Sequence, residues 1–320
     1  MSASAETKNM STMDSNALVV RPQRHPGRWV GGVVVLLVTA QLVYSMTTNP
    51  RFEWGVVGHY LFSHAILAGL LNTIQLTVVA MVIGSALGTV LAVLRLSPNP
   101  AISGVVGAYV WAFRATPLLV QLLFWYNLAA LYPSVGLAVP FGGPMLIGAS
   151  ADQLVSVWTA ALLGLSLHQG AYTAEIVRAG ILSVDPGQRE AATALGMSRL
   201  LALRRVVLPQ AMRAIVPPMG NEVISMMKTT SLVSIIAVPE LLNTAQTIYA
   251  RTYQTIPMLI VATLYYLVLT AVLSVGQSAL ERRYGRGTSR QSSSPPRLRL
   301  RPRPQPGRAP RTAEIPQEDR

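Results

Sequence analysis

The chain has 320 residues, 51% of them hydrophobic and only 12% charged, with a mean hydropathy of +0.41. That is too few charges to solvate an ordinary globular surface, which points to the bilayer as the solvent. The net charge of +13 invites a nucleic-acid reading, and the absence of cysteine excludes disulfides and thiolate metal sites.

In chain order, residues 1–28 read as a cytoplasmic tail whose Arg21, Arg24 and Arg28 precede the first apolar run. Six runs reach the roughly 20 residues that a spanning helix needs: Trp29 to Met46, Ile66 to Leu94, Val105 to Leu131, Leu154 to Ile181, Ala211 to Val238 and Ile256 to Leu280. The first, within an anchor and external loop over 29–64, is followed by no A-x-A cleavage site and preceded by a long polar segment, so it reads as an anchor and not as a signal peptide. The core is expected over 65–280. In the second run, Gly84 and Gly88 match G-x-x-x-G and predict close helix packing. Pro217-Pro218, with Pro209 and Gly220 nearby, predicts a break near the start of the fifth span, of the kind tolerated where backbone lines a pathway.

Between the fourth and fifth runs lies a polar helical segment, 184–210. Asp185 is placed to N-cap a helix, with Pro186 at its first position and Gln188 completing a capping box. Gly196 supplies a C-terminal stop, and Ser198 caps a second helix to about Val207. Glu190, Arg189 and Arg199 offer polar anchors to another protein, and the alanines permit close approach. The arginines cluster on one side: Arg21, Arg24 and Arg28, then Arg95 and Arg114, then Arg178, Arg189, Arg199, Arg204 and Arg205. The opposite loops carry Arg51, Glu53, Asp152, Glu240 and Arg251, so both termini and the polar segment are expected in the cytoplasm.

Polar groups inside spans are costly and should face the bundle interior. Gln121 lies in the third run, and Gln169, Tyr172 and Glu175 form a stripe in the fourth. Asn221, Glu222 and Lys228 lie in the fifth. These are candidate pathway residues, with interhelical ion pairing by Glu175, Arg178 and Lys228, or capping of broken helix ends by them, as the structural alternative. Residues 281–320 are arginine spaced by proline, serine and glycine, a composition expected to stay disordered and to help hold topology rather than bind nucleic acid. No H-E-x-x-H, G-x-x-x-x-G-K-[ST] or G-x-S-x-G is present, so the chain carries no catalytic set, metal site or phosphate loop of its own.

Glu190-Ala191-Ala192, then Gly196, then Val206-Val207-Leu208-Pro209 resembles the EAA loop of the membrane subunits of bacterial ABC importers, with Val206 where that family usually has isoleucine. RATPLLVQLL from Arg114, GAYTAEIVRAG from Gly170 and KTTSLVSIIAVPEL from Lys228 resemble the permeases of polar amino acid importers of the histidine, glutamine and arginine type; Ala115 and Ala179 stand where those commonly have glycine. The resemblance covers roughly 66–280. It implies an all-α polytopic bundle of the bacterial inner membrane, with a five-helix core plus one N-terminal span. It implies contact with a separate ATPase dimer, which binds ATP and magnesium, through Gly187, Gln188, Glu190, Ala191, Ala192 and Gly196. It further implies a second permease copy or related permease and an extracytoplasmic binding protein that delivers a polar amino acid. An ATP-independent secondary transporter or channel is the alternative, and the EAA loop counts against it.

Overall fold

The computed structural model describes residues 26–138, 143, 145–150 and 156–284, so the Arg/Pro-rich tail and most of the N-terminal segment lie outside the described residues. Helix α1 spans Pro26–Thr48, and after a 3-10 turn at Pro50–Phe52 come α2, Trp54–Leu61, and α3, His64–Arg95. The third apolar run is two helices, α4 (Pro100–Ala115) and α5 (Leu118–Tyr126), followed by the short α6 (Leu128–Leu131). An antiparallel hairpin follows, β1 (Ser134–Ala138) paired with β2 (Met145–Ser150). Then come α7 (Val157–Leu182), α8 (Pro186–Ala194), α9 (Arg199–Ala202) and α10 (Leu208–Thr229), and last α11 (Leu241–Thr252) and α12 (Thr255–Tyr284).

Helix α7 forms the centre, with α3, α4, α5 and α10 packed around it. Its contact with α3 is made possible by glycine. A Cβ on Gly84 would stand 2.9 Å from the Ser166 carbonyl, and one on Gly88 would stand 2.6 Å from the Gly170 carbonyl, so the two backbones meet as the G-x-x-x-G spacing predicts. The two helices run parallel and end together. Ala92, Val177, Ile181 and Val184 there form a core with Val207, Ala211 and Ile215 of the returning chain. A second core joins Leu76 and Ala80 of α3, Leu118 and Leu122 of α5, Leu165 of α7 and Met226 of α10. A third, at the far end, seats α2, α11 and the start of α12 around Ile66, Val57, Leu241 and Met258.

Three described helices are long and apolar enough to cross a membrane, α1, α3 and α12, and five spans result if each of two bent pairs counts as one. The expected six is thus not reached on apolarity, because α7 carries the polar residues that its neighbours cover. The third run is not one helix. It bends by 104° at Thr116-Pro117, where the residue before proline is driven into an extended conformation, φ −99° and ψ 140°. Gln121 fastens the bend: its Nε2 donates to the carbonyls of Phe113 (2.9 Å) and Thr116 (3.1 Å) and to Thr116 Oγ1 (2.7 Å). Arg114 is consequently not in the turn after α3. It sits in the last turn of α4, about 21 Å along the helix from Pro100 at 1.5 Å per residue.

The expected break at Pro217-Pro218 is absent, and α10 passes through both prolines. Each proline removes a donor from the carbonyl four residues earlier. Those carbonyls belong to Arg213 and Ala214, two residues in the wall of an open cleft of about 400 Å3. The helix departs from α geometry later, in a 3-10 segment at Thr230–Ile236 that ends at Ala237 with φ +59°. Glu240 follows. Expected in an exposed loop, it is fully buried, its carboxylate accepting from the backbone N–H of Leu242 (2.9 Å) and Asn243 (2.7 Å), from Tyr266 Oη (3.0 Å) and from Thr73 Oγ1 (3.4 Å). It caps α11 and ties that helix to α3 and α12.

Candidate functional site

The hairpin between α7 and α10 is organised by its caps. Asp185 accepts from Gly187 N at 2.7 Å, Pro186 opens α8, Gly196 turns the chain at φ +73°, and Ser198 accepts from Leu201 N at the start of α9. Gln188 does not complete a capping box; its Oε1 accepts from Gln210 Nε2 at 3.3 Å, joining α8 to the foot of α10. Arg189, expected as an outward anchor, is half-buried and donates to the Ile181 carbonyl at the end of α7. The second arm does not end at Val207. It passes through a π-helical turn at Leu203–Val207 directly into α10. The hairpin is therefore mechanically continuous with both spans.

Of the candidate coupling residues, Gly187, Gln188, Glu190, Ala191 and Gly196 are exposed, while Ala192 is buried against the fold. Two apolar residues that the sequence reading did not select crown the same surface, Leu195 at 81% exposure and Leu200 at 73%. An apolar side chain held in solvent on a polar hairpin was the available signal.

The candidate pathway residues divide into four groups. Gln121 is buried and spent on the α4–α5 bend. Gln169 is buried and donates to Thr173 Oγ1 at 3.2 Å, while Glu222 of α10 is half-buried. Tyr172 and Glu175 open onto a cleft of about 390 Å3 beside α4, where Arg114 lies over the Tyr172 ring at 5.3 Å and Glu175 is held by Arg178 through two hydrogen bonds. Glu175 and Arg178 pair at i and i+3 within α7, so the contact is not the expected interhelical one. Lys228, expected inside the bundle, is exposed, as are Asn221 and Ser225. Spaced by three and four residues, the three form a polar stripe on the outer face of α10, because one chain's interior is filled by α7 and the stripe lies on the opposite side. No cluster that could hold a metal occurs among the described residues.

A family model for the "binding-protein-dependent transport system inner membrane component" matches residues 84–286. The chain belongs to that family. Among curated relatives of this transport-component family, the arginine transport system permease protein ArgU of Corynebacterium glutamicum is 43% identical over 286 residues, covering 88% of this chain and 87% of the relative. The arginine transport system permease protein ArtQ of Bacillus subtilis is 37% identical, covering 68% and 91%. A crystal structure of an amino acid ABC transporter is 37% identical, with a TM-score of 0.58 and coverage of 68% and 94%. A methionine ABC transporter in an inward-facing conformation shares the fold at 19% identity, with a TM-score of 0.56 and coverage of 69% and 96%. The protein is a multi-pass inner-membrane permease subunit of an ABC-type amino acid importer, and a non-catalytic one, whose family implies a cognate ATPase and a substrate-binding protein.

Proposed function

We propose that the hairpin 184–210 is the seat of a dimeric cytoplasmic ATPase and that the importer moves a polar amino acid between two permease copies. The observation that carries this is the hairpin's construction, in which an exposed crown of Glu190, Gly196, Leu195 and Leu200 stands on arms tied to α7 by Arg189 and to α10 by Gln188 and Gln210. A push on that crown is delivered to two spans at once. Closure of the ATPase around ATP and magnesium would bring two such hairpins together and reopen the pathway to the other side. A cytoplasmic hairpin end with both termini on the same side is supported by the excess of arginine near the hairpin, even without Arg114 and Glu240 in the comparison. Helix α7, parallel to α3 throughout, brings the spans to six, with α1 an anchor added to a core of five. Residues 281–320 serve as a basic cytoplasmic tail. Asn221, Glu222 and Lys228 of α10, with Tyr172 and Glu175 of α7, line the pathway, and Gln169 and Gln121 support it.

The first solute to test is L-arginine, since two relatives are named for arginine transport. Gly196→Asp forces a side chain onto a left-handed turn, and Glu190→Lys reverses a charge on the crown. Both variants should insert normally yet lose at least nine-tenths of uptake while ATPase copurification or the coupling of hydrolysis to uptake fails. Wild-type uptake by both variants would sink the proposal.

A further inference from the structure

The cleft beside α4 holds more positive charge than its own carboxylate can neutralise. Its walls include Arg95, Gly107, Trp111, Arg114, Tyr172 and Glu175. Glu175 is occupied, accepting from Arg178 Nε at 3.0 Å and from Arg178 Nη2. That leaves Arg95 and Arg114 without a carboxylate partner within the cleft. Arg114 lies over Tyr172, a contact that orients a guanidinium without consuming its N–H donors. Arg95 reaches into the cleft from the end of α3, and its Nη1 is buried with no hydrogen-bond partner among the described residues. A buried N–H that finds no acceptor is costly, so a native structure that keeps one invites an acceptor.

Gly107 explains how Arg95 gets there. A Cβ at position 107 would stand 2.7 Å from Arg95 Nη1 and 3.4 Å from its Cζ, so the guanidinium lies against α4 in the space that glycine leaves, and a methyl there would displace it. The Arg114–Tyr172 contact lies ten residues, or about 15 Å, from the end of α7, near half the roughly 30 Å hydrocarbon depth. Guanidinium forks facing a common space suit a planar carboxylate or a phosphate. Glu222 of α10 lies within electrostatic reach of Arg114 and supplies a nearby negative group. An ammonium beside the carboxylate would be met there.

We propose that this cleft is a carboxylate-binding site in which Arg95 and Arg114 hold the α-carboxylate of the transported amino acid, with Gly107 setting the place of Arg95. The assignment rests on the importer reading above and adds to it the part of the solute that the permease itself reads. Neither arginine stood among the expected pathway residues, because both were counted as topological charges.

The test uses the complete permease–ATPase complex in phosphatidylcholine nanodiscs. Binding of L-arginine, L-glutamine and L-histidine is compared with that of their decarboxylated amines, agmatine, 4-aminobutanamide and histamine. The site requires that at least one amino acid bind and that its amine bind at least a hundredfold more weakly. Gly107→Ala and Arg114→Gln should each weaken the amino acid at least tenfold while leaving the amine's affinity unchanged, and Arg114→Lys should recover part of the loss. An amine that binds as tightly as its amino acid, variants that weaken both alike, or no binding of any of the three to the wild type overturns the site. So does native mass spectrometry that finds phosphatidylglycerol retained by the wild type and lost from Arg114→Gln with amino acid binding unchanged, which would make this a headgroup site. Uptake into vesicles keeps the two readings apart. Failure of the wild type to accumulate any amino acid defeats the importer proposal, whereas normal uptake by wild type and variants alike defeats only the carboxylate site.

Discussion

A carboxylate sealed among apolar helices is tolerated when its lone pairs are filled, and Glu240 has four donors within 3.4 Å. Two are the second and third N–H groups of α11, so the residue is both an N-cap and a crosslink to Thr73 of α3 and Tyr266 of α12. Glutamine would keep the shape but turn an NH2 group toward donors. Glu240→Gln should therefore destabilise the folded subunit by about 1 to 3 kcal/mol, the usual cost of a buried hydrogen-bonding group left unsatisfied. Thermal unfolding of the detergent-purified complex reads this directly, and a wild-type midpoint would refute the role. Its counterpart on α10 is different in kind. Lys228 is exposed and Glu222 half-buried, so Lys228→Met and Glu222→Gln remove charge without opening a void. If they line the pathway, uptake should fall severalfold at unchanged complex yield; a parallel fall in yield and uptake would mark them as structural instead.

At the scale of elements, local signals were read well and long-range ones poorly. Asp185, Gly196 and Ser198 form their caps within a few residues of themselves, so the hairpin was visible in sequence, as was the glycine pair that lets α3 touch α7. The bend of the third span was missed because Val105 to Leu131 is apolar on both sides of it. The signal was Thr116-Pro117, read as part of a motif and not as a stop. The double proline misled in the opposite sense. The residues whose carbonyls are freed, Arg213 and Ala214, border an open cleft, and Gln277 of α12 lies over Gly220 and donates to the Pro217 carbonyl at 2.7 Å, so α10 stays helical. The β1–β2 hairpin fell in a stretch read only as a connection, although Phe141-Gly142-Gly143-Pro144 between two apolar runs is turn chemistry. Glu240 was assigned to a loop, and Arg114 to the side of the membrane that Arg95 marks, because sequence position cannot tell a residue beside a loop from one folded back into the bundle.

For the whole molecule, the face that one chain cannot satisfy is the informative one. Val272 and Val90 are also exposed, but they are apolar and can meet lipid, whereas Asn221, Ser225 and Lys228 on α10 cannot do so cheaply. In the assembled importer that stripe must face water or a second permease. The chain has no cysteine, so a single introduced thiol reports its own surroundings without background. In inverted vesicles carrying the intact complex, Ser225→Cys and Asn221→Cys should react with a membrane-impermeant maleimide, or form a disulfide between copies on oxidation. Val272→Cys and Val90→Cys, buried in hydrocarbon, should do neither, because maleimides attack the thiolate and a lipid-facing thiol stays protonated. Addition of ATP with magnesium should change the Ser225→Cys labelling rate severalfold if the stripe lies along a pathway that opens alternately. Equal labelling of Ser225→Cys and Val272→Cys would place α10 against lipid and remove the dimeric pathway with it.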